Sequence, residues 1–400
     1  MRLPFLFLFL TSIAHGQSLK QKINKHLNLA KKDHIGVKVV SLKNNKVLYT
    51  KNDTQQFIPA SAMKLITSIA GLNFLGPDYQ FVTTLTTNGT IKNTVLEGDI
   101  CLKGSGDPSL TTQDIHALVR LLKEKGITRI QGNIIIDPSV FDAELYAPLC
   151  TYINTEWRSP VGATLPTAGI NVNHNYILKT RRAITNPTHY AGEQLYRALK
   201  KRGIHVKRTL TIKKTTYTTI LASHVSEPLT DLLIHVLKDS DNLYADCIFK
   251  AIGAEHFGQG TWLNAHDRVT RYLTQTVHLN PADFYIADGS GLSRKNKATP
   301  HQFILLLIWA YYHFNYFDEL FNTLPKSGTD GTLKGRINNP RVFAKTGTLT
   351  GISSLVGYCT HTKKKPTVFA IMAQGPSEAG HKKNIEDRIA KDIINHHHSQ

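Results

Sequence analysis

The chain is short of sulfur and of acid. Four cysteines, three methionines and three tryptophans are spread over 400 residues, and 29 Asp and Glu stand against 48 Lys and Arg, a formal charge of +19. Cysteines this sparse (Cys101, Cys150, Cys247 and Cys359) exclude a disulfide-dense scaffold and show no metal-ligand spacing. Four still allow three pairings, among which the sequence does not choose. Cys247 follows an apolar helical stretch and reads as buried and inert. Nineteen histidines include no His-Glu-x-x-His, and His396-His397-His398 offers only non-specific metal affinity. No metal or other cofactor is therefore expected. Beyond the N-terminus no apolar run is long enough to span a bilayer; Ile304 to Trp309 leads into Tyr, His and Asn, which suits a buried helix. There is no internal repeat and no low-complexity tract.

What is present describes a globular chain, 41% apolar and 19% charged. Its length exceeds the usual single-core limit, so two domains are expected. The basic residues are scattered, with short clusters such as Lys200-Lys201-Arg202 and Lys363-Lys364-Lys365. That distribution argues against nucleic acid as a partner and suits an anionic cell envelope or a solvated basic surface. Met1-Arg2, the apolar run Leu3 to Ile13 and the small residues Ala14 and Gly16 read as a secretory signal peptide over residues 1–16, cleaved before Gln17. Export to the periplasm follows.

Periodicity predicts an amphipathic helix through Leu19, Ile23, Leu27 and Ala30, then a hairpin of Gly36 to Leu42 and Lys46 to Tyr49 around Asn44-Asn45. Pro59-Ala60 leads into a helix carrying Ser61 and Lys64, ended by Gly76-Pro77. From 80 to 221 short Thr, Val and Ile-rich runs alternate with turn signals, and two helices are expected near Thr112 to Lys125 and Tyr190 to Arg202. This block reads as an inserted, mostly-β domain. From about Ser226 a helical pattern runs on past Asn242 to Ile252, and further helices are expected at Trp262 to Leu273, after Pro300 and at Asn384 to Ile394. Arg341 to Thr348, Ile352 to Cys359 and Val368 to Ala373 are strand-like. With the N-terminal hairpin they would form a five-stranded antiparallel sheet with helices on both faces. The expected fold class is α+β, with residues 17–79 and 222–400 as one discontinuous domain.

Three motifs stand in order: Ser61-Ala62-Met63-Lys64, Ser240-Asp241-Asn242 and Lys345-Thr346-Gly347. Together they supply the equipment for acyl transfer through a serine ester. Residues three apart on a helix share a face, so Lys64 can reach the Ser61 hydroxyl. To accept its proton the ammonium must be held below its ordinary pKa by burial or by a second cation, for which Lys345 is placed if strand and helix face each other. Ser240 can relay a proton to a leaving amine and Asn242 can bind a substrate backbone, while Asp241 should point away. Gly347 lets a ligand backbone approach closely. Lys345, Thr346 and Thr348 can hold a terminal carboxylate, and the Ser61 and Thr348 amides can form an oxyanion hole. Each motif alone also fits a helix cap, a polar junction or an edge strand; the ordered set favours catalysis.

With these residues in view, the chain resembles the penicillin-recognising serine acyl enzymes, and among them the low-molecular-mass class C penicillin-binding proteins, D-alanyl-D-alanine carboxypeptidases and endopeptidases of peptidoglycan. The likeness extends to Gly104-Ser105-Gly106-Asp107-Pro108, Asp288-Gly289-Ser290-Gly291-Leu292-Ser293-Arg294, Leu324-Pro325 and Asp330-Gly331-Thr332-Leu333. It implies that Ser61 is acylated, that Lys64 is the base, that Ser240, Asn242 and Lys345 complete the centre, and that Thr346, Gly347 and Thr348 meet the substrate. A substrate-side place for Asp288 and Ser290 is also implied, with peptidoglycan as substrate and β-lactams as covalent inhibitors. One departure stands out: Asn171-Val172-Asn173-His174-Asn175 runs within a few residues to Tyr190-Ala191-Gly192-Glu193, a stretch that brackets a nested subdomain in larger members. A β-lactamase and a non-catalytic envelope-binding protein are the competing readings; the long insertion and the want of an obvious deacylating Glu segment disfavour the first.

Overall fold

A computed structural model describes residues 17–149, 164–180, 182–207, 209–361 and 364–396. The expected signal peptide, Cys150, Lys363, His397 and His398 lie outside the described residues.

The first helix, Leu19–Leu27, is started by Ser18, which exchanges capping bonds with Gln21. It buries Leu19, Ile23 and Leu27 against the last helix, Ala379–His396. The two helices lie together on one face of a five-stranded antiparallel sheet in the order Val342–Leu349, Ile352–His361, Lys364–Gln374, His34–Ser41, Lys46–Lys51. His34–Ser41 pairs with Gln374–Thr367, so the two ends of the described chain meet in one sheet. Its central strands are covered on both faces, which is why they read as nearly continuous apolar runs. Val37, Val39, Phe369 and Ile371 face the terminal helices; Val40, Val368, Ala370 and Met372 face the core formed with Pro300–His313 and Met63–Phe74.

A second five-stranded sheet has the order Leu210–Ile212, Ile134–Asp137, Ile100–Lys103, Val82–Thr87, Thr219–Val225. Helices Thr112–Glu124 and Pro187–Lys201 lie on it, and together they bury a core of their own. The strand Thr219–Val225 runs past position 221, held by its pairing with Val82–Thr87. The run Thr94 to Lys103 is two strands, Val95–Glu97 and Ile100–Lys103, in different sheets. Between Asn175 and Pro187 the described residues form a short ladder of Tyr176–Ile177 with Arg182–Ala183.

The expected continuous helix from Ser226 to Ile252 is broken. Helix Leu229–Ile234 widens into a π-turn, His235–Asp239, Ser240 takes a left-handed conformation, and a new helix runs over Asn242–Phe257. Asp241 caps that second helix by accepting from the Tyr244 amide at 3.1 Å. A further helix, Phe317–Thr323, gave no clear periodic signal because it is short.

Candidate active site

Ser61 lies in a tight turn, Ala60–Ala62, that opens helix Met63–Phe74. The helix is apolar almost all round, with Met63, Leu65, Ile66, Ile69 and Leu72 in the main core, so it is fixed from every side. Ala60 enters it at φ 48°, a left-handed value that a non-glycine residue keeps only where its surroundings impose it. Those surroundings are two glycines. A Cβ on Gly291 would lie 1.9 Å from the Ala60 carbonyl oxygen, and one on Gly347 would lie 2.7 Å from the Pro59 oxygen and 2.2 Å from the Ser354 hydroxyl. Ser354 itself donates to the Pro59 carbonyl at 2.7 Å. Gly347 thus admits the chain's own serine turn, and its smallness serves this packing first.

Lys64 is fully buried. Its Nζ lies 3.0 Å from Ser61 Oγ, 2.6 Å from Asn242 Oδ1 and 2.7 Å from the Ser290 carbonyl oxygen. Lys345, also fully buried, donates to Ser240 Oγ at 2.9 Å and to the Thr346 carbonyl at 3.0 Å. Strand Val342–Leu349 and the serine turn therefore face each other, and Ser61, Lys64, Ser240, Asn242 and Lys345 converge on one place. The left-handed φ of Ser240 turns its hydroxyl to Lys345 while Asn242, starting the next helix, reaches Lys64. Asp241 points elsewhere, as its neighbours' positions demand.

Thr346 is nearly buried and its hydroxyl bonds the Thr332 hydroxyl at 2.8 Å; Thr348 is exposed at the end of the same strand. Asp288 and Ser290 lie in the loop that borders this centre. Both have no exposed surface. Asp288 accepts from the amides of Gly291 and Ser293 at 2.7 and 2.6 Å and from Asn296 Nδ2 at 2.7 Å, bonds that fold the loop. Ser290 meets the centre through its carbonyl, and its hydroxyl accepts from the Leu292 amide at 3.3 Å.

Burial is the main reason that Lys64 falls to about 8; the carboxylates of Asp246, Asp288 and Asp241 oppose the fall. Burial pushes Lys345 well below the ordinary lysine range, and the nearby Lys64 charge pushes it further. Lys345 is not among the causes of the Lys64 shift, which burial supplies; the second-cation effect expected for Lys64 is seen on Lys345 instead.

Two further residues of this region belong to none of the three catalytic motifs. Asp246 lies behind Lys64, one helical turn beyond Asn242. His174 comes from the stretch after the second sheet's central strands; its Nε2 is 3.1 Å from Asp241 Oδ2 and its ring packs on Tyr244 at 5.7 Å. Only their three-dimensional neighbours distinguish them from an ordinary helix acid and a loop histidine.

Known proteins share this chain's pattern. Residues 19–177 and 161–394 match the D-Ala-D-Ala carboxypeptidase 3 (S13) family. A D-alanyl-D-alanine carboxypeptidase, DacB, of Haemophilus influenzae is 27% identical over 86% of each chain. A D-alanyl-D-alanine carboxypeptidase of an Actinomadura species is 26% identical over 86% of this chain and 78% of the relative. The crystal structure of penicillin binding protein 4 of Haemophilus influenzae shares the fold at a TM-score of 0.83 and 24% identity, over 93% of this chain and 98% of that one. A predatory peptidoglycan endopeptidase of Bdellovibrio bacteriovorus shares it at a TM-score of 0.60 and 20% identity, over 91% and 93%. With family matches that between them run from Leu19 to Ile394, the chain belongs to the D-Ala-D-Ala carboxypeptidase 3 (S13) family of peptidases.

Proposed function

We propose that the protein is a periplasmic serine D-Ala-D-Ala carboxypeptidase, with endopeptidase activity on D-alanyl crosslinks as part of the same chemistry, and that it acts on peptidoglycan stem peptides through an ester on Ser61. The observation that carries this reading is the 3.0 Å contact between a fully buried Lys64 amine and Ser61 Oγ. A neutral amine has two N–H bonds and one lone pair. Asn242 Oδ1 and the Ser290 carbonyl are placed to accept the two hydrogens, which leaves the lone pair for the Ser61 hydroxyl. Lys64 takes the hydroxyl proton as Oγ bonds to the carbonyl carbon of the penultimate D-alanine. The resulting oxyanion sits between the Ser61 and Thr348 amides. As the C–N bond breaks, the leaving amine takes a proton by way of Ser240, whose oxygen is bonded to Lys345. Water then cleaves the ester, freeing the shortened peptide and Ser61. Lys345, Thr346 and Thr348 hold the terminal carboxylate, and Gly347 keeps their strand against the nucleophile. Asn242 orients the substrate backbone. Asp288 and Ser290 act through the loop they build. A β-lactam carbonyl meets the same hydroxyl and leaves a covalent adduct.

The test is labelling of the purified protein with a fluorescent penicillin, together with D-alanine release from a stem pentapeptide and cleavage of a crosslinked muropeptide. Ser61→Ala should lose the label and all hydrolysis, and Lys64→Ala should slow acylation by about 10²-fold or more. An unlabelled wild type, or equal labelling of Ser61→Ala, overturns the reading.

A further inference from the structure

We infer that Asp246 is a positioning residue for the acylation step: its carboxylate fixes the peptide that faces Lys64 and holds the proton on that lysine. The inference rests on Lys64 being the base for Ser61, as proposed above. Asp246 is 5% exposed and lies on helix Asn242–Phe257 on the face that carries Asn242. Its Oδ1 accepts from the Gly289 amide at 3.0 Å and the Ser290 amide at 2.9 Å, and the Ser290 hydroxyl bonds the same carboxylate. Thr67 donates to the Gly289 carbonyl at 2.7 Å. The Gly289-Ser290 peptide is therefore held from two helices at once. The Ser290 carbonyl that follows is the acceptor 2.7 Å from Lys64 Nζ.

The same carboxylate is near enough to Lys64 for its charge to act on the lysine. Lys64 is faced by Asp246 and Asp241 from one helix segment, by Asp288 from the loop and by Lys345 from the sheet. Around Asp246 stand Asp288, Lys64, Cys247 and, further along its helix, Lys250. Burial and Asp288 raise the Asp246 carboxyl, and Lys64 opposes them. Asp288 accepts from three donors within its own loop, and its charge acts on both Lys64 and Asp246. Asp246 acts on the lysine through space. Its charge favours the ammonium form, against the desolvation that favours the amine. The sign follows: with the charge removed, Lys64 gives up its proton at lower pH.

Asp246→Asn keeps an oxygen that can accept the two amides and removes the charge. The readout is the rate of acylation by a fluorescent penicillin as a function of pH, for wild type, Asp246→Asn and the charge-keeping Asp246→Glu. The acid limb of Asp246→Asn should move to lower pH by about one unit, the effect of losing one nearby opposite charge, while Asp246→Glu keeps the wild-type midpoint. A residue that merely props the loop would lower the plateau and leave the midpoint in place. If Asp246→Asn does not fold, Ser290→Ala removes a donor from the carboxylate, disfavours its charge and should move the limb in the same direction. An unmoved limb in whichever of these two variants folds overturns the inference. A wild type that is not labelled at any pH overturns the proposed function instead, so the two failures are distinct.

Discussion

At the scale of single residues, the centre depends on groups that are inconvenient to bury and on glycines that let them be buried. Lys64 can act as a base only when neutral, and its fall to about 8 puts that form within reach of neutral pH. Acylation should therefore rise with pH through a midpoint near 8, and at pH 7 should run at about a tenth of its plateau, which a stopped-flow pH series measures. A midpoint that stays above 10 would remove Lys64 from the role. Gly291 is the other critical residue. It sits at φ 87°, and an added Cβ would meet the Ala60 carbonyl at 1.9 Å. Gly291→Ala must displace the turn that carries Ser61, and a displacement of about 1 Å at a nucleophile lowers rate by about 10²-fold. Acylation kinetics with the thermal midpoint measured alongside would reveal it; full activity in a folded Gly291→Ala would show that the loop can retreat without consequence.

At the scale of elements, the informative features are the places where regular structure stops. Apolar periodicity through Leu229, Leu232, Leu233, Val236 and Leu237 predicts one long helix, yet the helix ends at Ser240 because a straight path would carry Ser240 and Asn242 to different sides. A second irregularity supports it. Asn173, His174 and Asn175 all have positive φ, at 53°, 60° and 48°, a run that costs energy and is held by Asn173 bonds to Thr112 and Asn175 bonds to Pro166 and Asn171. What the run achieves is the contact of His174 with Asp241, the middle residue of the Ser-Asp-Asn motif. His174→Ala should lower stability by about 1 kcal/mol and slow acylation, through loss of the ring that packs on Tyr244 beside Asp241, and His174→Phe, which keeps the ring packing, should recover part of the stability. Unchanged unfolding and acylation in His174→Ala would mean that Asp241 needs no partner from this turn.

At the scale of the whole molecule, segments from both sheet regions meet at helix Asn242–Phe257. Lys250 on that helix is fully buried, donates to Asp142 Oδ1 at 2.6 Å and the Glu144 carbonyl at 2.9 Å, and lies 4.7 Å from the Trp262 ring centre. Asn171 Nδ2 reaches Cys247 Sγ at 3.4 Å on the same helix. Lys250→Met keeps the packing volume and leaves Asp142 without its cation, so stability should fall by about 3 kcal/mol, with amide exchange around 142–148 accelerated first. Equal urea midpoints for the two proteins would show that this clamp is dispensable. Cys101, Cys247 and Cys359 are separate, buried thiols, so among the described residues the connection between the segments is made by such polar clamps and by packing.

The sequence alone determined the elements and the cast. Helical and strand periods located the hairpin, the late strands, the serine helix and the texture of the insertion, because each depends on neighbours a few residues away. Three motifs named Ser61, Lys64, Ser240, Asn242 and Lys345 because their chemistry is written in residue type and order. Only tertiary structure decided the rest. That Asp288 and Ser290 are interior, that Gly347 accommodates the chain's own turn, and that Asp246 and His174 stand beside the centre all depend on contacts between segments distant in sequence. Local propensity gives no register for such contacts; they are fixed by which faces pack and by how close a backbone without a Cβ can come.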